Sequence, residues 1–306
     1  MPAFAQDEAA IEEIRDAIRE GFGANRFGAG YAAMVNFSVI PEISTAHYTV
    51  DDAETNDPEL DVQRVPLRWV FNAGDSGWRP FMQANLTWLE LEAKLDVLPG
   101  ERIRSNWTAA GGSLGAGIEI PLTESLTLVP QVDAGIVRLE NDARYTGVLG
   151  NTVLKPALEN IAFDWDADAW VVGGSVALDY ERAFEPVTFR AHSSLTHNRV
   201  ETWDASSEVV EFSGHATTID VDLEVVHPLH ASLGGYPLSL VGLAGGTAFA
   251  GPSRRELGFD HFFEVGAALE ADISSRAGKV SRIGLGARLI FGADISGWGL
   301  VLRYAF

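Results

Sequence analysis

The residues with the most obvious chemical potential lie in one short stretch, where His192, Ser193 and Ser194 are followed by His197 and Asn198. A serine, a histidine and an asparagine could together form the catalytic set of a lipid hydrolase, in which the histidine accepts the proton of the serine nucleophile. The spacing is unfavourable in an extended chain, because adjacent side chains, and those five apart, point to opposite faces of a strand. We therefore interpret these residues as solvated or inward-facing polar groups, and we predict that the protein is not an enzyme.

Metal and cofactor sites have little support in the sequence. His227 and His230 are closely spaced, but the chain has no cysteine and no rigid helix holds the pair, so we interpret them as turn histidines. The acidic run 51–57 could bind a divalent cation, but we interpret it as a solvated loop. The glycine-rich run 111–117 alternates as a strand, with no helix after it to receive a phosphate. We predict neither a metal nor a cofactor.

Composition excludes several classes of protein. The 306 residues include 43 acidic and 22 basic side chains, and the net charge of −21 excludes a nucleic-acid partner. With 46% hydrophobic and 21% charged residues, the chain is not a disordered acidic tail. The absence of cysteine also excludes disulfides and thiolate chemistry.

The sequence divides into three parts. Residues 1–5 contain a small-x-small pattern and are interpreted as a signal-peptide remnant, although the apolar core of a signal peptide is missing. Residues 6–27 form an N-terminal segment in which 7–22 has helical periodicity, with isoleucines on one face and charges on the other. Residues 28–306 change to an alternating pattern and form the third part.

The alternating part predicts about twelve β-strands, each long enough to cross a bilayer. Near residue 220, four aliphatic residues alternate with Thr218, Asp220, Asp222 and Glu224. Three carboxylates on one face cannot point into lipid or a dry core. A soluble β-protein, apolar inside and polar outside, would show the same period, and it would stay soluble without detergent.

The links between these segments favour a membrane barrel over a soluble sandwich. Short links are expected at 74–77, 123–125, 183–186 and 276–279, with a longer one at 228–236. Long polar links are expected at 51–61, 99–104 and 141–166. Alternating short turns and long loops are typical of an up-and-down transmembrane β-barrel.

The end of the chain gives the most specific signal. Alternate residues form an unbroken apolar face that closes on a terminal aromatic, namely Trp298, Leu300, Leu302, Tyr304 and Phe306. Such an ending looks like the assembly signal of bacterial outer-membrane barrels. With a preceding helix and about twelve strands, the chain resembles the translocator β-domain of autotransporters, and more narrowly the solitary autotransporter barrels.

This resemblance implies an address and partners. It implies a monomeric, all-β barrel in the bacterial outer membrane, in contact with outer-membrane lipids and lipopolysaccharide, which the barrel-assembly machinery inserts through its last strand. Autotransporters that cleave themselves use two adjacent asparagines, whereas Asn25 stands alone, so we do not predict autoproteolysis. With no passenger domain ahead of Asp7, we do not expect secretion of a linked domain either.

The predicted function is that of a non-enzymatic barrel whose lumen is occluded by the N-terminal helix. Opposite charges on the helix and on the inner wall would form ion pairs that hold the plug: Glu12, Arg15, Arg19, Arg64, Arg68, Asp179, Asp220, Asp222, Glu224, Arg282, Arg288 and Arg303. The same charges in an open barrel would set the ion selectivity of a porin-like channel for small solutes. An outer-membrane lipid hydrolase is the third alternative.

Overall fold

The computed structural model describes residues 45–51, 58–71, 77–98, 100–161, 163–207, 210–251, 259–274 and 281–305. These residues form twelve strands: β1 Thr45–Val50, β2 Glu59–Val70, β3 Arg79–Leu98, β4 Glu101–Pro121, β5 Leu126–Thr146, β6 Trp165–Phe184, β7 Val187–Ala205, β8 Ser213–Leu233, β9 Tyr236–Ala250, β10 His261–Asp272, β11 Arg282–Phe291 and β12 Ile295–Ala305. A π-helical turn, Gly150–Leu154, and the short helix α1, Lys155–Leu158, lie between β5 and β6. No helix in the described ranges is long and apolar enough to cross a membrane.

The strands form a closed antiparallel barrel in which each strand pairs with its neighbour in sequence. Closure is made by β1 and β12, which pair from Thr45 opposite Leu300 to Val50 opposite Ile295. The predicted fold, an up-and-down barrel of about twelve strands, is confirmed. The expected helix at 7–22 and the expected start of the barrel at residue 28 lie outside the described residues.

The barrel has two distinct ends. We call the end that carries the β2–β3, β4–β5, β6–β7, β8–β9 and β10–β11 links the turn end, and the opposite end the loop end. At the turn end, β6 and β7 are joined through Glu185-Pro186, and β8 and β9 through Gly234-Gly235. Both of these glycines have positive φ, as a tight hairpin turn requires.

Several predicted links are wrong because the strands are longer than the sequence pattern indicated. β3 and β4 extend through the expected loop at 99–104 and are joined by Pro99-Gly100 alone, and β8 continues through most of 228–236 to Leu233. In the same way, β5 and β6 shorten the expected loop at 141–166. His227 and His230 therefore lie on β8, and the interpretation of them as turn histidines is wrong.

The reason for the errors at the loop end is visible in the strand lengths. The strands from β3 to β6 have 20 or 21 residues, about twice the 9–11 that a tilted strand needs to cross a bilayer. At the loop end they continue as a water-exposed extension of the barrel. Polar residues in this extension belong to strands that lie in water. A rule that assigns every polar run to a loop therefore misplaces the ends of these strands.

The apolar face changes side along a single strand. In the turn-end part of β5, Val132 and Ile136 point outward with exposures of 67% and 64%, while Asp133 is buried inside. Towards the loop end the inner face becomes apolar and the outer face becomes charged. Val137 is buried inside, and Arg138 lies exposed outside. The outer surface is therefore suited to lipid at one level and to water at the next.

The apolar part of the outer surface forms a continuous band, which we call the lipid belt. Its members point away from the lumen and are exposed on the isolated barrel: Val65, Leu67, Trp69, Met82, Leu86, Trp88, Leu114, Val132, Ile136, Val172, Val176, Leu178, Leu195, Ile219, Val221, Leu223, Val225, Leu240, Phe263, Val265, Leu269, Ile283, Leu285, Leu289, Phe291, Trp298, Leu300 and Leu302. An aromatic and aliphatic band of this kind is the outer face of a transmembrane β-barrel.

Glycine is required where the barrel closes. A Cβ added to Gly297 of β12 would lie 2.2 Å from the backbone oxygen of His47 on β1. At Gly299, two residues further along the same inner face, the nearest atom would be the Thr45 oxygen at 3.1 Å. Small residues on the inner face of β12 thus allow close approach of the two closing strands.

We predict that Gly297→Ala lowers the yield of folded barrel, whereas Gly299→Ala on the same face changes it little. The added methyl of the first variant meets backbone, which cannot move without opening the β1–β12 pairing. Heat-modifiable migration on detergent gels measures the folded fraction. Equal yields for the two variants would contradict this role of Gly297.

Candidate functional site: the barrel lumen

The lumen at the turn end contains a network of ion pairs. Arg303 of β12 reaches Glu224 of β8 at 2.6 Å and Glu270 of β10 at 3.0 Å. Arg190 of β7 approaches the same two carboxylates at 3.5 and 3.6 Å and lies 3.1 Å from Glu181. Two arginines thus share a pair of buried carboxylates and tie together four strands.

A second group of charges lies deeper in the lumen. Arg288 of β11 is 4% exposed and binds Asp222 at 3.0 Å and Glu264 at 2.7 Å. Next to it, the hydroxyl of Thr247 donates a hydrogen bond to the buried Asp220 at 2.7 Å. One guanidinium therefore compensates two buried carboxylates, which is the arrangement that makes buried charge tolerable.

The opposite wall contributes a third group. Glu119 of β4 accepts contacts at 2.6 Å from Arg68 of β2 and Arg79 of β3. The guanidinium of Arg68 also lies 3.8 Å from the centre of the Phe81 ring. Glu119 was not among the predicted charges, because on β4 it stands alone among glycines and apolar residues.

Every predicted lumen residue on a described strand has its side chain on the inner face. Three of the arginines form the ion pairs described above, namely Arg68, Arg288 and Arg303. Arg64 is 3% exposed, and Arg282 lines a cavity in the turn-end half of the lumen. Glu12, Arg15 and Arg19 lie outside the described residues. The pairs that the structure shows join strand to strand.

The turn-end charges surround a large chamber. Two connected cavities of about 610 and 940 Å³ share the same wall residues, namely Arg79, Glu119, Asp179, His192, Arg303 and Tyr304. Their lining is of mixed charge, and that of the larger cavity also includes apolar side chains such as Val129, Ala177 and Val301. The chamber could accommodate a peptide segment or mobile ions, and the described residues that line it lie in the turn-end half of the lumen.

The loop-end half of the lumen is filled by apolar side chains, which we call the lumen cluster. All twelve strands contribute to it: Ala46, Tyr48, Val50, Leu60, Val62, Leu89, Ala109, Val137, Leu139, Trp165, Ala167, Ala169, Val171, Val200, Ala216, Phe249, Phe262, Ile290 and Ile295. Val210 and Phe212 from the β7–β8 link and Phe259 from the β9–β10 link complete it. A polar lumen was expected here, so sequence reasoning missed this feature.

Aromatic contacts hold the lumen cluster together. Phe262, which is fully buried, lies edge-on to Tyr48 at 5.8 Å and within 6.4 Å of both Phe249 and Phe259. Such edge-to-face pairs add about 0.5–1.5 kcal/mol each beyond their buried area. The sequence signal for the lumen cluster is the change of polarity along the strands. On β6, Trp165 and Ala167 lie on the inner face and Asp166 lies between them on the outer face.

The residues considered for hydrolysis are divided between the two faces of β7: His192, Ser194 and Asn198 face the lumen, whereas Ser193 and His197 face outward. His192 points into the chamber, where Nδ1 lies 2.6 Å from Asp179 of β6, while Ser193 points outward. His197 also points outward and stacks on His215 at 5.6 Å. The described residues contain no group of three or more His, Asp or Glu side chains placed to hold a metal ion.

The residues of the predicted assembly signal lie on β12 as far as they are described. Trp298, Leu300 and Leu302 belong to the lipid belt, and the Tyr304 hydroxyl donates a hydrogen bond to the backbone oxygen of Pro66. Phe306 lies outside the described residues.

Comparison with known proteins agrees with this architecture. The family model described as solitary outer membrane autotransporter beta-barrel domain matches residues 39–306. The chain belongs to this family. Its members are outer-membrane barrels of the transporter type, and the predicted resemblance is confirmed. A search of curated proteins found no match to the sequence.

Solved structures show that the family's barrel is shared with larger autotransporters. The translocator domain of autotransporter NalP from Neisseria meningitidis has 9% identity and a TM-score of 0.54, with 86% of this chain and 85% of that one covered. The transport unit of autotransporter AIDA-I from Escherichia coli has 8% identity and a TM-score of 0.53, with coverage of 92% and 99%. At these identities the likeness concerns the fold alone.

We predict that Arg288→Met lowers the free energy of unfolding by about 3–5 kcal/mol, because it leaves two buried carboxylates without a counter-charge. Adding Asp222→Asn and Glu264→Gln to this variant should recover most of the loss. Urea unfolding of the lipid-embedded barrel measures both effects. Unchanged stability of the single variant would contradict the role given to this ion triad.

Proposed function

We propose that the chain is a non-enzymatic outer-membrane barrel that is closed to ions and solutes by its own side chains. The lumen cluster carries this proposal. It includes residues from every strand, and two of its aromatic members, Tyr48 and Phe262, are completely buried. A side chain that faced an open aqueous pore would be exposed to that water.

Two links at the loop end support the same conclusion. Phe212 and Phe259 belong to segments that connect strands, yet they are 5% and 3% exposed and pack into the lumen cluster. Links between strands normally run over the surface in water, where large apolar side chains are unfavourable unless they pack against other apolar groups. Here Phe212 and Phe259 extend the lumen cluster beyond the ends of the strands.

The predicted N-terminal helix has a separate place in this proposal. Because β1 runs towards the loop end, the helix predicted at 7–22 would lie on the turn-end side of the barrel, where the chamber lies. Arg15 and Arg19 on the helix would face a chamber wall that includes Asp179, Glu224 and Glu270. The helix would then occupy the chamber as a second barrier, in series with the lumen cluster.

The alternatives need features that this arrangement opposes. A porin-like channel needs a continuous water path, and the chamber supplies only its turn-end half. A lipid hydrolase needs a nucleophile that a lipid can reach, whereas Ser194, the serine on the same face of β7 as His192, is only 6% exposed inside the lumen, and Ser193 lies on the opposite face. A closed barrel can still act through its outer surface, and the water-exposed extension at the loop end is the part of this barrel that could contact other molecules.

Ion conductance across planar bilayers tests the proposal. We predict that the native barrel and a version without residues 7–22 both remain silent, because the lumen cluster seals each of them. Tyr48→Ser with Phe262→Ser, made in the version without residues 7–22, should pass a measurable current. The matched control is Gln83→Ser with Asn85→Ser, which enlarges the chamber but leaves the lumen cluster intact, and which should stay silent.

Two results would contradict the proposal in different ways. A pore that opens on removal of residues 7–22 alone would mean that the helix, and not the lumen cluster, closes the barrel. Steady current through the native barrel would mean that the protein is a channel.

A further inference from the structure

The outer surface of the loop-end extension carries an unusual row of positive charges. In the strand register, Lys94 of β3 lies directly opposite Arg104 of β4, and Arg104 lies directly opposite Arg144 of β5. All three side chains lie on the outward face, so three cations stand directly side by side across adjacent strands. We call these three residues the cation row.

Such a row is unfavourable unless something compensates it. Residues directly opposite each other on neighbouring antiparallel strands have Cβ atoms about 4.5–5.5 Å apart, and like charges at that distance destabilise the pairing. The protein as a whole has a net charge of −21, which makes a concentration of cations at one place more notable.

Neighbouring carboxylates neutralise the row incompletely. Glu92 lies 3.2 Å from Lys94 and 3.6 Å from Arg104. Within the described ranges, no carboxylate comes within ion-pair distance of Arg144. Arg104 is half exposed and Arg144 is exposed, so both guanidinium groups can reach a ligand from solution.

Other outward arginines on the extension differ in this respect. Arg138 contacts Glu140 at 2.7 Å and Asp166 at 3.0 Å, and Arg199 contacts Glu201 at 2.6 Å. Their exposure, 51% and 50%, is the same as that of Arg104. The extension therefore contains paired arginines and the cation row in the same environment, and only the latter presents adjacent guanidinium groups to an external anion.

The position of the row indicates which anion it meets. Lys94 is on the same face of β3 as Trp88 of the lipid belt, and the strand between them spans about 15 Å along the membrane normal, given about 3.3 Å per residue and a tilt of about 40°. We place the loop end outside the cell, as the longer links of outer-membrane barrels usually are. The row then stands above the apolar band, at the level of the saccharides that carry phosphate on the outer leaflet. Arginine binds phosphate through two parallel hydrogen bonds, which suits paired guanidinium groups.

We propose that the cation row binds phosphate groups on the saccharide portion of lipopolysaccharide. The proposal rests on the proposed outer-membrane orientation, with the loop end outside, but it is independent of whether the lumen is closed. In it, Arg104 and Arg144 hold one phosphate between them, and Lys94 contributes charge at the edge of the site. The belt below packs on the acyl chains of the same lipid.

Binding of fluorescently labelled lipopolysaccharide to the detergent-solubilised full chain tests this assignment, with a chelator present to remove bridging divalent cations. We expect Arg104→Gln with Arg144→Gln to weaken binding about tenfold, as loss of two charge-assisted contacts to one phosphate implies. The control Arg138→Gln with Arg199→Gln should change binding less than about twofold on the same grounds. Heat-modifiable migration confirms that each variant is folded.

Chemically dephosphorylated lipopolysaccharide and inorganic phosphate provide the remaining arms. Native protein should bind the dephosphorylated lipid as weakly as the double variant binds the intact lipid. Equal binding of both lipids, or equal losses in the two pairs of variants, would overturn the proposal. Displacement of the lipid by an equivalent concentration of inorganic phosphate would show a general anion site and would overturn the assignment to lipopolysaccharide. None of these results depends on conductance, so failure here is distinguishable from failure of the closed-barrel proposal.

Discussion

The structure depends on the fact that each long strand lies in two different solvents. Along β5 the outer face changes from Ile136 to Arg138, while the inner face changes from Asp133 to Val137. The polarity of both faces changes at the same level of the strand. A side chain that points to lipid must be apolar, whereas one that points to water need not be. The change of polarity marks the outer edge of the apolar band, and it determines what can fill the lumen on either side of it.

Within the lipid belt the interior contains charge, and above the belt it contains an apolar core. Charge inside a narrow barrel is tolerated where it is paired, as in the triad of Arg288, Asp222 and Glu264. Above the belt the barrel resembles a soluble β-protein, with Phe262 and Tyr48 packed inside and charged residues outside. The chamber and the lumen cluster are thus two consequences of one pattern, and the cluster closes the path that the chamber begins.

Alternation in the sequence was sufficient to predict the strand period, the closed barrel and the inward orientation of Asp220, Asp222 and Glu224. It was not sufficient to predict strand ends, because polar residues near 99–104 and 228–236 belong to strands that leave the lipid. The lumen cluster was missed for a related reason: a single rule that assigns every apolar residue to lipid cannot recognise Trp165 or Val137 as interior. Pairing of particular charges across the lumen, such as Arg303 with Glu224, depends on barrel closure and is not encoded in local spacing.

Thiol accessibility along β6 tests the closed lumen most directly, because the chain contains no cysteine of its own. Ala169, which is fully buried in the lumen cluster, and Ser175, which lines the chamber, face the same lumen at two levels. In oriented liposomes, with residues 7–22 removed, a membrane-impermeant maleimide should label Ser175→Cys from the turn end only and leave Ala169→Cys unlabelled from either side. Labelling of Ser175→Cys from the loop end would show an open path through the barrel and would contradict the account.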